Sequence, residues 1–170
     1  MVSNMKINEF NCISENNNID EYLEFYKYVK SNMKEPSWLG EFSLNDLKNI
    51  LNNEGKLFNF YDNNTIVCSV LYIPANNKTL KKHNLNYDEK LVGSCGPIMV
   101  NPKYVGNKFQ KQMLELLDKY CKSIGKRYIF TKVHPDNIYS INNFISDGYK
   151  FVETYKTSSG EPRSVYFKEI

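Results

Sequence analysis

Residues 91–114 read LVGSCGPIMVNPKYVGNKFQKQML, and the change of character halfway along this stretch decides the fold. Its first ten residues are an apolar run of strand length, preceded by a polar connection. Gly96 and Pro97 interrupt that run. Proline cannot donate to a ladder, so the strand is expected to bulge or to part from one neighbour here, an edge strand being the plainer alternative. After a short loop, apolar residues recur at helical spacing, at Phe109, Met113, Leu116, Leu117, Tyr120 and Ile124, with Gly125 as the stop. A helix N-terminus carries unpaired N–H groups and a partial positive charge, so the join between loop and helix is a candidate phosphate cradle.

Outward from this stretch, strand and helix patterns alternate. Downstream, RYIFTKV at 127–133 reads as a strand, and Asp136 is the expected N-cap of a short helix through Ile138, Ile141, Phe144 and Ile145, stopped by Gly148. YKFVETYK at 149–156 and RSVYFKEI at 163–170 close the chain as a hairpin. Upstream, LFNFYD at 57–62 and TIVCSVLYI at 65–73 form a second hairpin around Asn63-Asn64, residues that tolerate positive φ, and 74–90 is a polar connection. Ser43 and Asp46 give the capping pattern of a helix with Leu47, Ile50 and Leu51 on its apolar face and Gly55 as its stop. Ile19 to Val29 has helical spacing, and MKINEFNCI at 5–13 alternates like a strand. The order is β-α-α-β-β-β-α-β-α-β-β, with no repeat and no linker, which predicts one domain over 1–170.

Composition narrows the function. A chain of 170 residues with 41% hydrophobic, 14% aromatic and 24% charged residues is an ordinary globular protein. Its bias toward Asn, Lys, Ile and Tyr suggests an AT-rich bacterial genome. A net charge of +3, spread over scattered lysines, leaves no footprint for nucleic acid. MVSNMKINEFNCISENNN has no basic region leading into an apolar run, and IVCSVLYI at 66–73 is too short to span a bilayer. A cytoplasmic protein is expected, with neither nucleic acid nor membrane as partner, and a homodimer is left open. Cys12, Cys68, Cys95 and Cys121 are widely spaced, with no CxxC and no histidine pair nearby, so reduced thiols are expected and no metal site.

With its elements in this order, the chain resembles the GNAT superfamily of acyl-CoA-dependent N-acetyltransferases. The resemblance rests on the C-terminal two thirds: the strand ending in IMVNPKY, the turn VGNKFQ, the long amphipathic helix, a strand, VHPDN, a short helix and DGYKFVETYK. The family signature Gln/Arg-x-x-Gly-x-Gly/Ala falls on Val105, Gly106, Asn107, Lys108, Phe109 and Gln110. Lys108 and Gln110 stand in place of small residues, and Gly106 is the surviving glycine. The implied fold is α/β (α+β), a single GNAT-like domain. Its central sheet is mixed, mostly antiparallel and splayed between strands four and five, with about four flanking helices.

The resemblance also implies acetyl-CoA as cosubstrate, without a metal. Its pantetheine arm would pair with the main chain of Ile98, Met99 and Val100, and its phosphates would meet the N–H groups from Asn107 to Lys111 after the Gly106 turn, aided by Lys108 or Lys111. Asn137 and Ser140 would line the same wall. An amine would attack the thioester directly, a main-chain N–H near Met99 or Val100 serving the oxyanion. The tyrosine that protonates the departing sulfur in many relatives corresponds to Phe144, which leaves Tyr139 as the substitute candidate. For the base, Glu41 and Glu35 flank Trp38 in the loop expected over the acceptor pocket; His134 and water stand beside them. Cys95 belongs to that pocket as a buried thiol, with no histidine at a spacing that would make it a nucleophile. The expected activity is acetyl transfer to a primary amine of a small molecule or peptide. Lys108 and Phe144 keep a second reading open, a catalytically silent acyl-CoA-binding module.

Overall fold

The computed structural model describes residues 4–15 and 18–170, so part of the first eighteen residues, read above for a leader, lies outside the described residues. Seven strands form one sheet: β1 (Asn11–Ile13), β2 (Lys56–Asp62), β3 (Thr65–Pro74), β4 (Val92–Val100), β5 (Tyr128–Val133), β6 (Lys150–Lys156) and β7 (Pro162–Glu169). They lie in the order β1-β2-β3-β4-β5-β7-β6. Only β4 and β5 run parallel; every other neighbouring pair is antiparallel.

Among the described residues, five α-helices cover the two faces: α1 (Ile19–Ser31), α2 (Leu44–Asn52), α3 (Asn77–Lys82), α4 (Phe109–Ser123) and α5 (Ile138–Ser146). Strand alternation sets the layers. Ile98 and Val100 pack toward the α4 and α5 core, whereas Met99 joins Tyr22, Phe25 and Leu47 of α1 and α2. Val92 and Phe130 meet Leu80 of α3 on that second face.

Local chemistry explains most boundaries. The Ser43 and Asp46 capping box is complete: Asp46 N–H donates to Ser43 Oγ at 3.1 Å, and Ser43 N–H donates to Asp46 Oδ2 at 2.8 Å. Asn63 turns the β2–β3 hairpin with φ 51°. Four expectations are corrected. The strand expected over 5–13 shrinks to Asn11–Ile13, because the Gln112 side chain takes the preceding main chain, accepting from Ile7 N–H at 2.8 Å and donating to the Met5 carbonyl at 3.2 Å. The polar connection contains α3, capped by Asn76 and burying only Leu80, too little apolar periodicity to register. The buried stripe of α4 runs through Met113, Leu114, Leu117 and Cys121, and Ile124 is exposed. Finally, Asn137 caps α5 in place of Asp136, accepting from Ser140 N–H at 3.3 Å.

One buried charge cluster fixes α4 and α5 to the sheet. Lys168 Nζ on β7 donates to Asp118 Oδ2 and Asp147 Oδ2, both at 2.6 Å, and to the Asp147 carbonyl at 3.0 Å. Burial raises the Asp118 carboxyl to about 6, against the pull of Lys168.

Candidate active site

The site begins where β4 leaves β5. Val92–Cys95 pair with Tyr128–Thr131, and the ladder stops there although β4 continues to Val100. On the other side Cys95 faces Tyr72 and Ile98 faces Val70, so Gly96 and Pro97 together oppose Leu71, which is a bulge. A Cβ on Gly96 would lie 2.9 Å from the Leu71 carbonyl oxygen, so this approach requires glycine. The interruption legible in the sequence is therefore both a bulge and a parting, inside the sheet rather than at its edge.

Hydrogen-bond alternation decides which main-chain groups the opening receives. Asn101 N–H donates to the Val67 carbonyl at 2.8 Å. In an antiparallel ladder, that directs the groups of Met99 toward Ser69 and those of Ile98 and Val100 into the opening. Met99 itself is buried beneath α1 and α2.

Beyond β4 the chain makes a 3₁₀ turn at Pro102–Tyr104 and enters the helix through two left-handed residues, Gly106 at φ 91° and Lys108 at φ 58°. Nothing lies within 4 Å of a Cβ built on Gly106, so φ rather than space calls for glycine there. Lys108 adopts the backbone conformation that glycine takes most readily, at a cost of about 1 kcal/mol for a side-chain-bearing residue. It stands at the N-cap of α4 and makes no side-chain cap, leaving the first-turn N–H groups to a ligand or solvent. Asn107 turns its side chain to the loop, donating to the Tyr104 carbonyl at 2.8 Å and accepting from Met5 N–H at 3.1 Å. The Phe109 ring is in the core, edge-on to Phe10. Both can offer only main chain. Lys108 and Lys111 are exposed.

A cavity of about 830 Å³ follows the opening, in the size range of about 300–1,000 Å³ typical of small-molecule sites. It brings together Trp38, Glu41, Cys95, Ile98, Met99, Val100, Gln110, Asn137, Tyr139 and Ser140 from the sequence candidates. Gly106, Asn107, Lys108, Phe109 and Lys111 are outside its lining, around the start of α4. Gln110 joins the helices at this wall: its Oε1 accepts from Asn143 Nδ2 at 3.1 Å and Ser140 Oγ at 3.4 Å. Burial pushes the Cys95 thiol well above its usual range, as suits an inert strand residue.

At the Trp38 end of the cavity, Glu41 is 90% exposed and pairs with Lys30 at 3.2 Å. His134 Nδ1 accepts from Asp136 N–H at 3.2 Å while Nε2 faces Glu161 at 3.8 Å, a loop-holding arrangement, and its ring lies 6.3 Å from that of Trp38. Tyr139 is 65% exposed, whereas Phe144 is buried edge-on to Tyr149. Two lining residues escaped the sequence reading. Arg163 donates to the Ser37 carbonyl at 2.8 Å, fixing the Trp38 loop to β7 across 126 residues, and Lys132 lies on the wall formed by β5. No local pattern announces either.

A sheet opened on unpaired main chain and ending in a bare helix N-terminus defines a class of domains able to hold a long phosphorylated cofactor through the backbone. The chain belongs to the acetyltransferase (GNAT) family, whose model matches residues 18–148. It is similar in fold to a probable acetyltransferase from Staphylococcus epidermidis, with 16% identity, a TM-score of 0.70, and coverage of 94% of this chain and 98% of the other. The ribosomal-protein-S18-alanine N-acetyltransferase of Escherichia coli aligns at 15% identity and TM-score 0.68, over 94% and 93% of the two chains. An acetyltransferase of Bacillus subtilis, solved in complex with CoA, aligns at 10% identity and TM-score 0.65, over 95% and 99%. No curated protein matches the sequence at a significant level.

Proposed function

We propose that this protein transfers the acetyl group of acetyl-CoA to a primary amine, on a small molecule or a peptide, by direct attack. One observation carries the reading: a single cavity runs along the unpaired half of β4 from the α5 wall, next to the start of α4, to the Trp38 and Arg163 rim. Two substrates entering from opposite ends would therefore meet beside Cys95 and Ile98.

The pantetheine arm would lie against Ile98 and Val100 as an added strand, and the phosphates would cap α4, assisted by the ammonium groups of Lys108 and Lys111. Asn137 and Ser140 would contact the arm from α5. As the amine nitrogen bonds to the thioester carbon, the oxygen gains charge that the Val100 N–H, facing the opening, can stabilise. The C–S bond then breaks and sulfur leaves with the electron pair. Phe144 has no proton to give, but an alkyl thiol has a pKa of about 8.5, so the thiolate departs unaided near neutral pH. The amine proton passes to water or to Glu41.

The silent-module reading rests on Phe144 and Lys108. Lys108 weighs less than its identity suggests, since it holds the left-handed backbone the cradle calls for. Calorimetry with acetyl-CoA, followed by free-thiol release across an amine panel, separates the readings. Saturable binding with amine-dependent release is expected of the enzyme. Binding with no release from any amine makes the protein a silent module, and absence of binding removes both.

A further inference from the structure

The acceptor end of the cavity holds positive charge that the transfer step does not use. Lys132 is the first residue of β5 past the last pair with β4, Thr131 with Cys95. Alternation turns its side chain to the face of Phe130, which α1, α2 and α3 cover. Its ammonium lies 5.5 Å from the centre of the Tyr155 ring, and that of Lys82, the last residue of α3, lies 4.6 Å from the same ring. Lys132 and Tyr155 both line the cavity, and Arg163 is the cross-strand neighbour of Tyr155.

Other charged groups at this end are engaged by neighbours, Glu161 facing His134 Nε2 at 3.8 Å. Lys30 pairs with Glu41, and Arg163 donates to the carbonyls of Pro162 and Ser37. Glu153, the carboxylate two residues before Tyr155, is held by His83 at 2.6 Å, and the His83 ring lies 4.7 Å from Tyr155. Burial lowers the His83 pKa, partly offset by Glu153, which favours a neutral imidazole. Among the described residues, neither Lys82 nor Lys132 has a carboxylate within 4 Å. Desolvation, then repulsion by Lys82, lowers the Lys132 pKa. Two exposed ammonium groups flanking one ring, Lys132 on the cavity wall and Lys82 beside it on α3, with no carboxylate within 4 Å, make a site whose repulsion an anion would relieve.

We propose that the acceptor is an amine bearing a second, anionic group, a carboxylate or a phosphate, which docks on Lys132 and Lys82 beside Tyr155 while the amine reaches the opening at Cys95. The inference rests on the transferase reading and names its substrate class. The anionic group takes no part in the chemistry; it orients the amine and sets specificity. Lys132 is the principal contact, being on the wall, and Lys82 reinforces it from α3.

The test uses amine pairs that differ only in the charged group: amino acids against their carboxamides, and phosphoethanolamine against ethanolamine. Steady-state thiol release gives kcat/KM for each member. In the unaltered protein one anionic class should exceed its uncharged partner by about ten- to a hundredfold, the range for a hydrogen bond to a charged group, chiefly through KM. The amino acid and phosphate arms tell carboxylate from phosphate. Lys132→Gln should bring that ratio close to one and Lys132→Arg should keep most of it, with Lys82→Gln between them. Both Lys132 variants should retain acetyl-CoA affinity by calorimetry, which also reports that they are folded. Equal or better turnover of the uncharged amines, or a preference that survives Lys132→Gln, overturns this inference and leaves the transferase reading standing. Acetyl-CoA binding without turnover of any amine overturns both.

Discussion

The two ends of the cavity are built from different material. At the end proposed for the cofactor the parts on offer are main chain: the groups of Ile98 and Val100 left free by the bulge, and the N–H groups at the start of α4 set by Gly106 and Lys108. At the end proposed for the acceptor they are side chains from remote segments: Trp38 and Glu41 after α1, Lys132 on β5, Tyr155 on β6 and Arg163 on β7. A site made of backbone tolerates changes of residue provided φ and pairing survive. Lys108, at a left-handed φ that glycine takes more readily, is an example. A site made of side chains can be rewritten one residue at a time, so acceptor choice can diverge while the cofactor end stays fixed.

The largest expected break in this contrast is Gly106→Pro. Proline locks φ near −65°, whereas Gly106 sits at +91°, so the turn presenting the N–H groups cannot form. Acetyl-CoA affinity should fall by about a hundredfold or more, equivalent to roughly 3 kcal/mol, with the circular dichroism spectrum unchanged. Unchanged affinity in a folded variant would sink the cradle.

The Lys168 cluster sharpens the contrast, since it ties down the two helices of the cofactor end. The folded-state pKa of Asp118, about 6, lies above the ordinary 3.8, so the native state binds the extra proton in that window. Its contribution is present below pH 4 and is lost as pH rises through about 6. After discounting for solvent screening, the change is roughly 1–2 kcal/mol. Asp118→Asn should flatten the fall in Tm between those pH values; the same fall in the variant would assign it to another group.

Arg163→Ala acts on the other end. Losing the bond to the Ser37 carbonyl should loosen the Trp38 loop and raise the amine KM about tenfold, as expected for one charge-assisted hydrogen bond. Acetyl-CoA affinity should hold, and an equal loss in both would mean that the two ends are not separable. Lys108→Ala should weaken acetyl-CoA binding only about three- to tenfold, because the backbone cradle remains, and should lessen its dependence on salt. An unchanged salt slope in titrations at two ionic strengths would remove Lys108 from phosphate binding. Tyr139→Phe should matter least. Losing a needed general acid costs about 10²–10⁴ in rate, and the change in kcat should stay well below that range. A hundredfold fall with intact cofactor affinity would make Tyr139 the proton donor.

What the sequence disclosed follows the same division. Gly96, Pro97 and Gly106 are residues whose backbone demands are visible in their identity, and Ser43 with Asp46 is a local pattern complete within four residues. Lys108 was opaque, because lysine does not advertise a left-handed φ. Asn137 and Asp136 are both good caps, and the bond from Ser140 N–H to the Asn137 side chain marks which one the helix uses. Arg163 with Ser37, and Lys168 with Asp118 and Asp147, join residues far apart in the chain, so their pairing exists only once the sheet has brought β7 into place. The tie between the Trp38 loop and β7, like the anchoring of α4 and α5, is therefore a product of topology.

The parted strands also create an inner rim of the kind that elsewhere recruits foreign strands into aggregates. Here the hazard is contained by its length. Pro97 has no N–H, and among the described residues of this rim the ladder turns only the main-chain groups of Ile98 and Val100 into the opening. Two residues are too few to template a neighbouring molecule, yet enough to seat one extended ligand arm. The halves β1–β4 and β5–β7–β6 are joined across the sheet by only four residue pairs. An occupant of the gap would serve as a stitch between them, turning a sheet with a seam into a sheet made whole.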